Sequence, residues 1–279
     1  MPVTRVIQVP NVTEEINRAL YNGYNVFFVA TGEKNFGKST LCTQILYDVY
    51  KRYRFDWEQT WRTVFHHLSF TAGQFYGFYI EAKRQIDQAL IQAGLDSGVL
   101  EMDVEKEWKD IIDNILDSQM TQKTTFAEIR EKYRIPAILI DDIAANMNRQ
   151  DVSIYYDKFF QKLFADFTLI RPYVACILAT CPDIDDVPRV ILKHVTGIIQ
   201  CTSQGHAVFR KKKTYIRFKG KSIESFMKLY DGDPITWKPL DPEIYSKYEV
   251  LRHLMSRQVS QKAIKALDKI DQAEKRLLQ

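Results

Sequence analysis

The chain has 279 residues, 46% of them hydrophobic, with 39 Lys and Arg against 35 Asp and Glu and a formal net charge of +4. That suffices for one large α/β domain or one domain with an appendage, and so mild a charge does not by itself call for nucleic acid. No run of about 18 apolar residues occurs, which excludes a conventional transmembrane helix, and Met1-Pro2-Val3-Thr4-Arg5 lacks the apolar run of a signal peptide. The four cysteines, Cys42, Cys176, Cys181 and Cys201, form no C-x-x-C pair, so buried thiols in an intracellular protein are expected.

Asn11-Val12-Thr13-Glu14-Glu15 opens a capped amphipathic helix with Ile16, Ala19 and Leu20 inward, ending near Gly23. Val26-Phe27-Phe28-Val29-Ala30 is an unbroken apolar, β-branched and aromatic run that suits a buried strand. Gly32-Glu33-Lys34-Asn35-Phe36-Gly37-Lys38-Ser39 follows and satisfies G-x-x-x-x-G-K-[ST] at every fixed position. In such a loop the glycines let successive N–H groups point at phosphate oxygens. Lys38 places positive charge on the β and γ phosphates, and the Ser39 hydroxyl ligates Mg²⁺. From Thr40 the chain puts Leu41, Ile45, Leu46 and Val49 on one helical face. Strand, glycine loop and helix thus come in the order phosphate binding requires, and the helix N-terminus adds partial positive charge.

Residues 57–76 are unusually aromatic, which predicts a packed helix and loop covering the nucleotide domain. His66 and His67 are adjacent, so they do not share a face and do not suggest a metal site. Residues 76–134 read as a helical insertion, with a turn at Gly94–Gly98, a helix over Val104–Leu116 and a capped start at Thr124. Ala137-Ile138-Leu139-Ile140-Asp141-Asp142 ends four apolar residues in two carboxylates, as a buried parallel strand does at its ligand-binding C-terminal edge. Asp141 is the candidate Mg²⁺ holder, through water, and Asp142 the candidate for orienting or deprotonating the attacking water. A third buried strand, Val174–Thr180, ends in a hydroxyl that would contact the γ-phosphate or the lytic water, or simply satisfy the strand end.

Gly197–Cys201 is a further strand. Two β-like arms then flank a basic tip within residues 206–220, where Arg210, Lys211, Lys212, Lys213, Arg217 and Lys219 are interleaved with Phe209, Tyr215 and Phe218. Such a hairpin is a candidate DNA-binding element, and equally an edge hairpin kept apart from other chains by lysine. The tail from Pro242 is helical, with Tyr245, Tyr248, Leu251 and Met255 on one face and a further helix over residues 258–279.

Taken in order, several elements resemble the P-loop ATPases of crenarchaeal viruses and plasmids, a group of AAA+-like, DnaA-like character. They are Gly32–Thr40, Asp56-Trp57, Phe65-His66-His67-Leu68-Ser69-Phe70, Ile140-Asp141-Asp142-Ile143-Ala144, Thr180-Cys181-Pro182 and Pro242–Tyr248. The resemblance implies an ATP-binding, Mg²⁺-dependent homo-oligomer of a mobile genome, acting in replication initiation or packaging and contacting DNA. The alternative is an ATP-gated, slowly hydrolysing DNA- or protein-binding switch. It implies nucleotide contacts over Gly32–Thr40, metal at Ser39 and Asp141, and catalysis by Lys38, Asp142, Thr180 and a trans-acting arginine, for which Arg189 is the candidate beside Lys193, His194 and Arg171. The family's usual second acidic residue is Glu, and Asp142 is one methylene shorter. The expected architecture is an α/β P-loop NTPase domain over residues 1–240, with a mainly parallel sheet flanked by helices, the insertion and the basic hairpin. A small helical extension follows over residues 241–279.

Overall fold

The computed structural model describes residues 10–53, 56–92, 126–143, 170–187, 189–219 and 222–254. The expected turn at Gly94–Gly98, the helix over Val104–Leu116, the cap at Thr124 and the helix over residues 258–279 lie outside these residues. The chain divides into two compact units, Met1–Lys238 and Pro239–Gln279.

The first unit is built on a seven-stranded sheet of order β2-β3-β4-β1-β5-β6-β7. Its strands are β1 (Val26–Thr31), β2 (Leu68–Ser69), β3 (Ile138–Ile140), β4 (Cys176–Thr180), β5 (Gly197–Ser203), β6 (His206–Lys219) and β7 (Ser222–Thr236). The first five pair in parallel, and β6 and β7 are antiparallel. Helices α1 (Pro10–Asn22), α2 (Lys38–Lys51), α3 (Trp57–His66), α4 (Ala72–Gln92), α5 (Phe126–Tyr133) and the short α6 (Arg189–Leu192) accompany it.

Alternation along β1 sorts the core. Phe27 and Val29 join Phe75 and Tyr79 of α4, Ile138 and Ile140 of β3, and Ile191 of α6 in one cluster. Leu41, Ile45, Leu46 and Val49, the face predicted for α2, are fully buried, as are Ile16 and Ala19 of α1. Phe28 of β1 meets Phe209 of β6 edge-on, with ring centroids 5.1 Å apart. Gly197 of β5 lies between them, where a Cβ would stand 2.8 Å from the Phe209 ring and 3.1 Å from Phe28. That close approach requires glycine. Of the aromatic stretch, Trp61 is buried and stacks on Tyr47 at 4.5 Å, whereas Trp57 is exposed. The His67 ring stacks on Tyr50 at 4.8 Å, with Nδ1 against the Thr63 carbonyl, and burial holds its pKa below the usual value.

The hairpin differs from expectation. Arg210–Lys213 are not a tip but the middle of the continuous 14-residue strand β6, and the returning arm is β7. The register runs from His206↔Thr236 through Lys211↔Tyr230 to Lys219↔Ser222. A bulge between Val208 and Arg210 accommodates Pro234, which cannot donate to a ladder.

In the second unit, residues 242–254 form helix α7. The Asp241 carboxylate accepts from the Glu243 amide at 2.9 Å, a local cap. Of the predicted face Tyr248 is buried, beside Ile244, whereas Tyr245 is 47% exposed. Among the described residues no helix is long and apolar enough to cross a membrane.

Candidate functional site

The site forms at the C-terminal ends of β1, β3 and β4. β1 stops at Thr31, and the chain turns through Gly32 at φ 137°, Asn35 at φ 71° and Gly37 at φ 81° before α2 begins at Lys38. These positive φ values suit glycine and are tolerated by asparagine. At Gly32 the demand is also steric, because a Cβ would stand 2.5 Å from the Cys201 carbonyl oxygen of β5. The Gly32 amide donates to the Pro182 carbonyl at 3.1 Å, and the Leu41 amide to Gly37 at 2.9 Å. The segment after β4 therefore ties the start of the loop, and the first turn of α2 fixes its end. Glu33, Lys34 and Asn35 are exposed, and Phe36 to Thr40 are partly buried.

The Lys38 ammonium folds back over this loop and donates to the carbonyls of Gly32 at 2.7 Å and Glu33 at 2.8 Å. That holds a cation over the loop. Ser39, the next residue, donates its hydroxyl to Asp141 Oδ1 at 2.6 Å, a bond spanning 102 positions of sequence.

β4 lies between β1 and β3, with Ala30↔Thr180 on one side and Ile140↔Ala179 on the other. That register brings Thr180 abreast of Asp141. The Thr180 hydroxyl donates to Asp141 Oδ1 at 2.8 Å and accepts from the Asp142 amide at 2.8 Å. One carboxylate oxygen thus receives two hydroxyls, and Asp141 is only 3% exposed. Asp142 is half-buried and turns the chain at φ 53°, a left-handed conformation that aspartate adopts more readily than most residues. In this arrangement Thr180 clamps the acidic pair.

A hydroxyl and a carboxylate are hard oxygen donors, and Mg²⁺ takes one or two protein oxygens together with waters and phosphates. The donor set of Ser39 and Asp141 suits Mg²⁺, and these two residues would hold it. Cys181 and Cys201 flank the loop. Burial, ahead of neighbouring charges, pushes their thiols up to about 12 and about 11, so they stay protonated at neutral pH.

The other sequence candidates lie elsewhere. Arg189 opens α6, and its side chain lies outside what is described. Arg171 donates from Nε to the Gly23 carbonyl at 2.8 Å, an anchoring bond at the end of α1. In the hairpin, Lys211 pairs with Glu15 of α1 at 2.5 Å. The side chains of Lys212, Lys213, Arg217 and Lys219 are outside the described set.

Two side chains were missed by sequence reasoning. Arg134, 3% exposed, donates to the carbonyls of Ala19, Tyr24 and Val174 at 3.0, 2.5 and 3.2 Å. Nothing in Tyr133-Arg134-Ile135 signals that reach. Trp237, just beyond β7, lies against Gly37 of the loop. Its alternation with Ile235 foretells burial but not its neighbour.

No protein-family model matches the chain, and no curated protein matches it. Among solved structures it is similar to the crystal structure of flagellar accessory protein FlaH from Methanocaldococcus jannaschii, at 15% identity and a TM-score of 0.29 over 80% of this chain and 85% of that one. So loose a superposition carries no conclusion about function.

Proposed function

We propose that the protein is a Mg²⁺-dependent ATP hydrolase. The observation that carries this is the 2.6 Å bond between Ser39, at the start of the loop-borne helix, and Asp141, at the end of a separate buried strand. It joins the candidate phosphate-binding loop to an acidic strand end in one site. In this reading the loop amides and Lys38 stabilise negative charge on the transferred phosphoryl group. Mg²⁺, when bound, neutralises charge on the β and γ oxygens. Asp142 orients a water whose oxygen bonds to the γ-phosphorus while the bond to the β–γ bridging oxygen breaks. The proton passes to Asp142 or to the released phosphate. Arg189 of a neighbouring copy completes the site in a homo-oligomer.

Base preference, action on DNA and a role in replication initiation or packaging of a mobile genome rest on the resemblance described above. A second reading, a slowly hydrolysing ATP-gated switch, is favoured by Asp142. Its carboxylate is short, and its backbone is tied to Thr180 by the 2.8 Å bond. Both limit how it meets a water.

The test is ATP turnover with and without Mg²⁺, single-stranded DNA and duplex DNA, beside Lys38→Ala. Metal-dependent turnover that the variant loses at least 100-fold is expected, as for removal of one preorganised charge-stabilising donor. Turnover unchanged in Lys38→Ala would sink the reading. Tight ATP binding with negligible turnover selects the switch.

A further inference from the structure

Trp237 borders the loop, and the catalytic reading leaves it unused. Its indole is 6% exposed, and its polar edge faces the loop. Measured from where a Cβ would sit on Gly37, Nε1 is at 3.1 Å, Cζ2 at 3.4 Å and Cε2 at 3.5 Å. The backbone on either side is fixed. The Trp237 amide donates to the Gly205 carbonyl at 3.1 Å, in the turn between β5 and β6. The next carbonyl, of Lys238, accepts from Gln44 Nε2 of α2 at 2.5 Å. The end of β7 is thereby strapped along the first two turns of the helix whose N-terminus bears Lys38 and Ser39.

The indole N–H is paired with no acceptor among the described residues. It is not among the sealed, unpartnered polar atoms of the described residues, so it stays open to solvent or to a ligand. Here it lies against Gly37 of a phosphate-type loop, on a backbone fixed on either side.

We infer that Trp237 is a nucleotide-binding residue, whose Nε1–H donates to an acceptor of the nucleoside triphosphate seated on the loop. The inference rests on the nucleotide-binding reading above. It assigns the ligand's acceptor a partner that the G-x-x-x-x-G-K-[ST] pattern does not contain, delivered by a strand some 200 residues downstream of it. Trp237→Phe removes the donor and keeps most of the packing on Gly37.

The experiment uses ¹⁵N-labelled full-length chain, whose four tryptophans give separate indole N–H resonances. Mg-ATP and Mg-tripolyphosphate are titrated in parallel, with calorimetry on the same samples. The Trp237 resonance is identified by its loss in Trp237→Phe, or by through-bond assignment should that variant fail to fold. The expected result is a downfield shift of that resonance at saturation and about two- to thirteen-fold weaker binding by Trp237→Phe, the range for one neutral hydrogen bond. A shift with both ligands assigns the acceptor to a phosphate oxygen, and a shift with ATP alone assigns it to the ribose or base. Either supports the inference. Calorimetric binding with the Trp237 resonance unmoved and the variant's affinity unchanged overturns it while leaving the functional reading intact. Absence of binding by the unmodified chain overturns the functional reading, and this inference with it.

Discussion

Thr180 shows how one hydroxyl sets the geometry of the site. It spends its proton on Asp141 and its lone pair on the Asp142 amide, each at 2.8 Å. Thr180→Val keeps the shape of the side chain but removes both functions. Asp141 loses one of the two hydroxyls on Oδ1, and a half-buried amide loses its acceptor. Hydrogen bonds to charged groups are each worth about 1.5–3 kcal/mol. We therefore expect turnover to fall about 10- to 100-fold with a higher Mg²⁺ requirement, and Thr180→Ser to restore most of it. A Mg²⁺ titration of ATP turnover across the three proteins checks this, and a valine variant with the original metal dependence would refute it. The sequence showed where such residues lie but not what each does. The placement of Lys38, Ser39 and Asp141 was legible because it follows from local order: apolar strand, glycine loop, helix, and apolar strand ending in carboxylates. A threonine at a strand end suits a ligand or an internal bond equally well. Only the placement of β4 between β1 and β3 decides which contacts it makes.

At the scale of elements, Arg134 joins three that are far apart in sequence. It follows α5, and its guanidinium bonds to the Ala19 carbonyl in the last turn of α1, to Tyr24 just beyond that helix and to Val174 ahead of β4. Burial, then Arg130 and Arg171, bring its pKa down to about 10, which leaves it charged at neutral pH. A planar fork of five donors suits several carbonyls at once, as an ammonium does not. Arg134→Met should cost about 2–4 kcal/mol because the helix-end carbonyls are left buried without donors, and Arg134→Lys should recover less than half of that. Urea unfolding of the three proteins measures it, and a loss below about 1 kcal/mol would mean water replaces the arginine. The helices α1 and α2 were legible because their periodicity coincides with burial. The hairpin was not. Arg210-Lys211-Lys212-Lys213 looked like a solvated tip, yet it contains no glycine, asparagine or proline to turn the chain. Asp231-Gly232-Asp233-Pro234 has the composition of a turn, yet a bulge carries β7 through it. Pairing with a partner strand overrode local composition in both places.

Across the first unit, the sheet separates the basic hairpin from the phosphate loop. β5 runs parallel to β1, and its first residue, Gly197, pairs with Lys211. Beyond Lys211, β6 and β7 pair only with each other among the described residues, through Lys219↔Ser222. Those eight residues of β6 continue for roughly 25 Å, at about 3.3 Å each, past the N-terminal edge of β5. The loop and Asp141 stand at the C-terminal edges. If the hairpin binds DNA, its contacts are therefore remote from the phosphate loop, and the link between them is β7, which leads directly into Trp237 against Gly37. The residues to test lie beyond the sheet. Lys211 is a poor choice, because reversal would set a carboxylate against Glu15. Lys212→Glu with Lys213→Glu leaves that pair intact. In a DNA-binding hairpin the double variant weakens duplex binding, and the slope of log affinity against log salt becomes shallower by about 0.9 for each phosphate that the variant no longer neutralises. Calorimetric ATP affinity in the absence of DNA should stay unchanged, because neither residue lies at the C-terminal edge. An unaltered salt slope would remove the hairpin from DNA binding. A fall in ATP affinity without DNA would show that the strand transmits strain to the loop on its own.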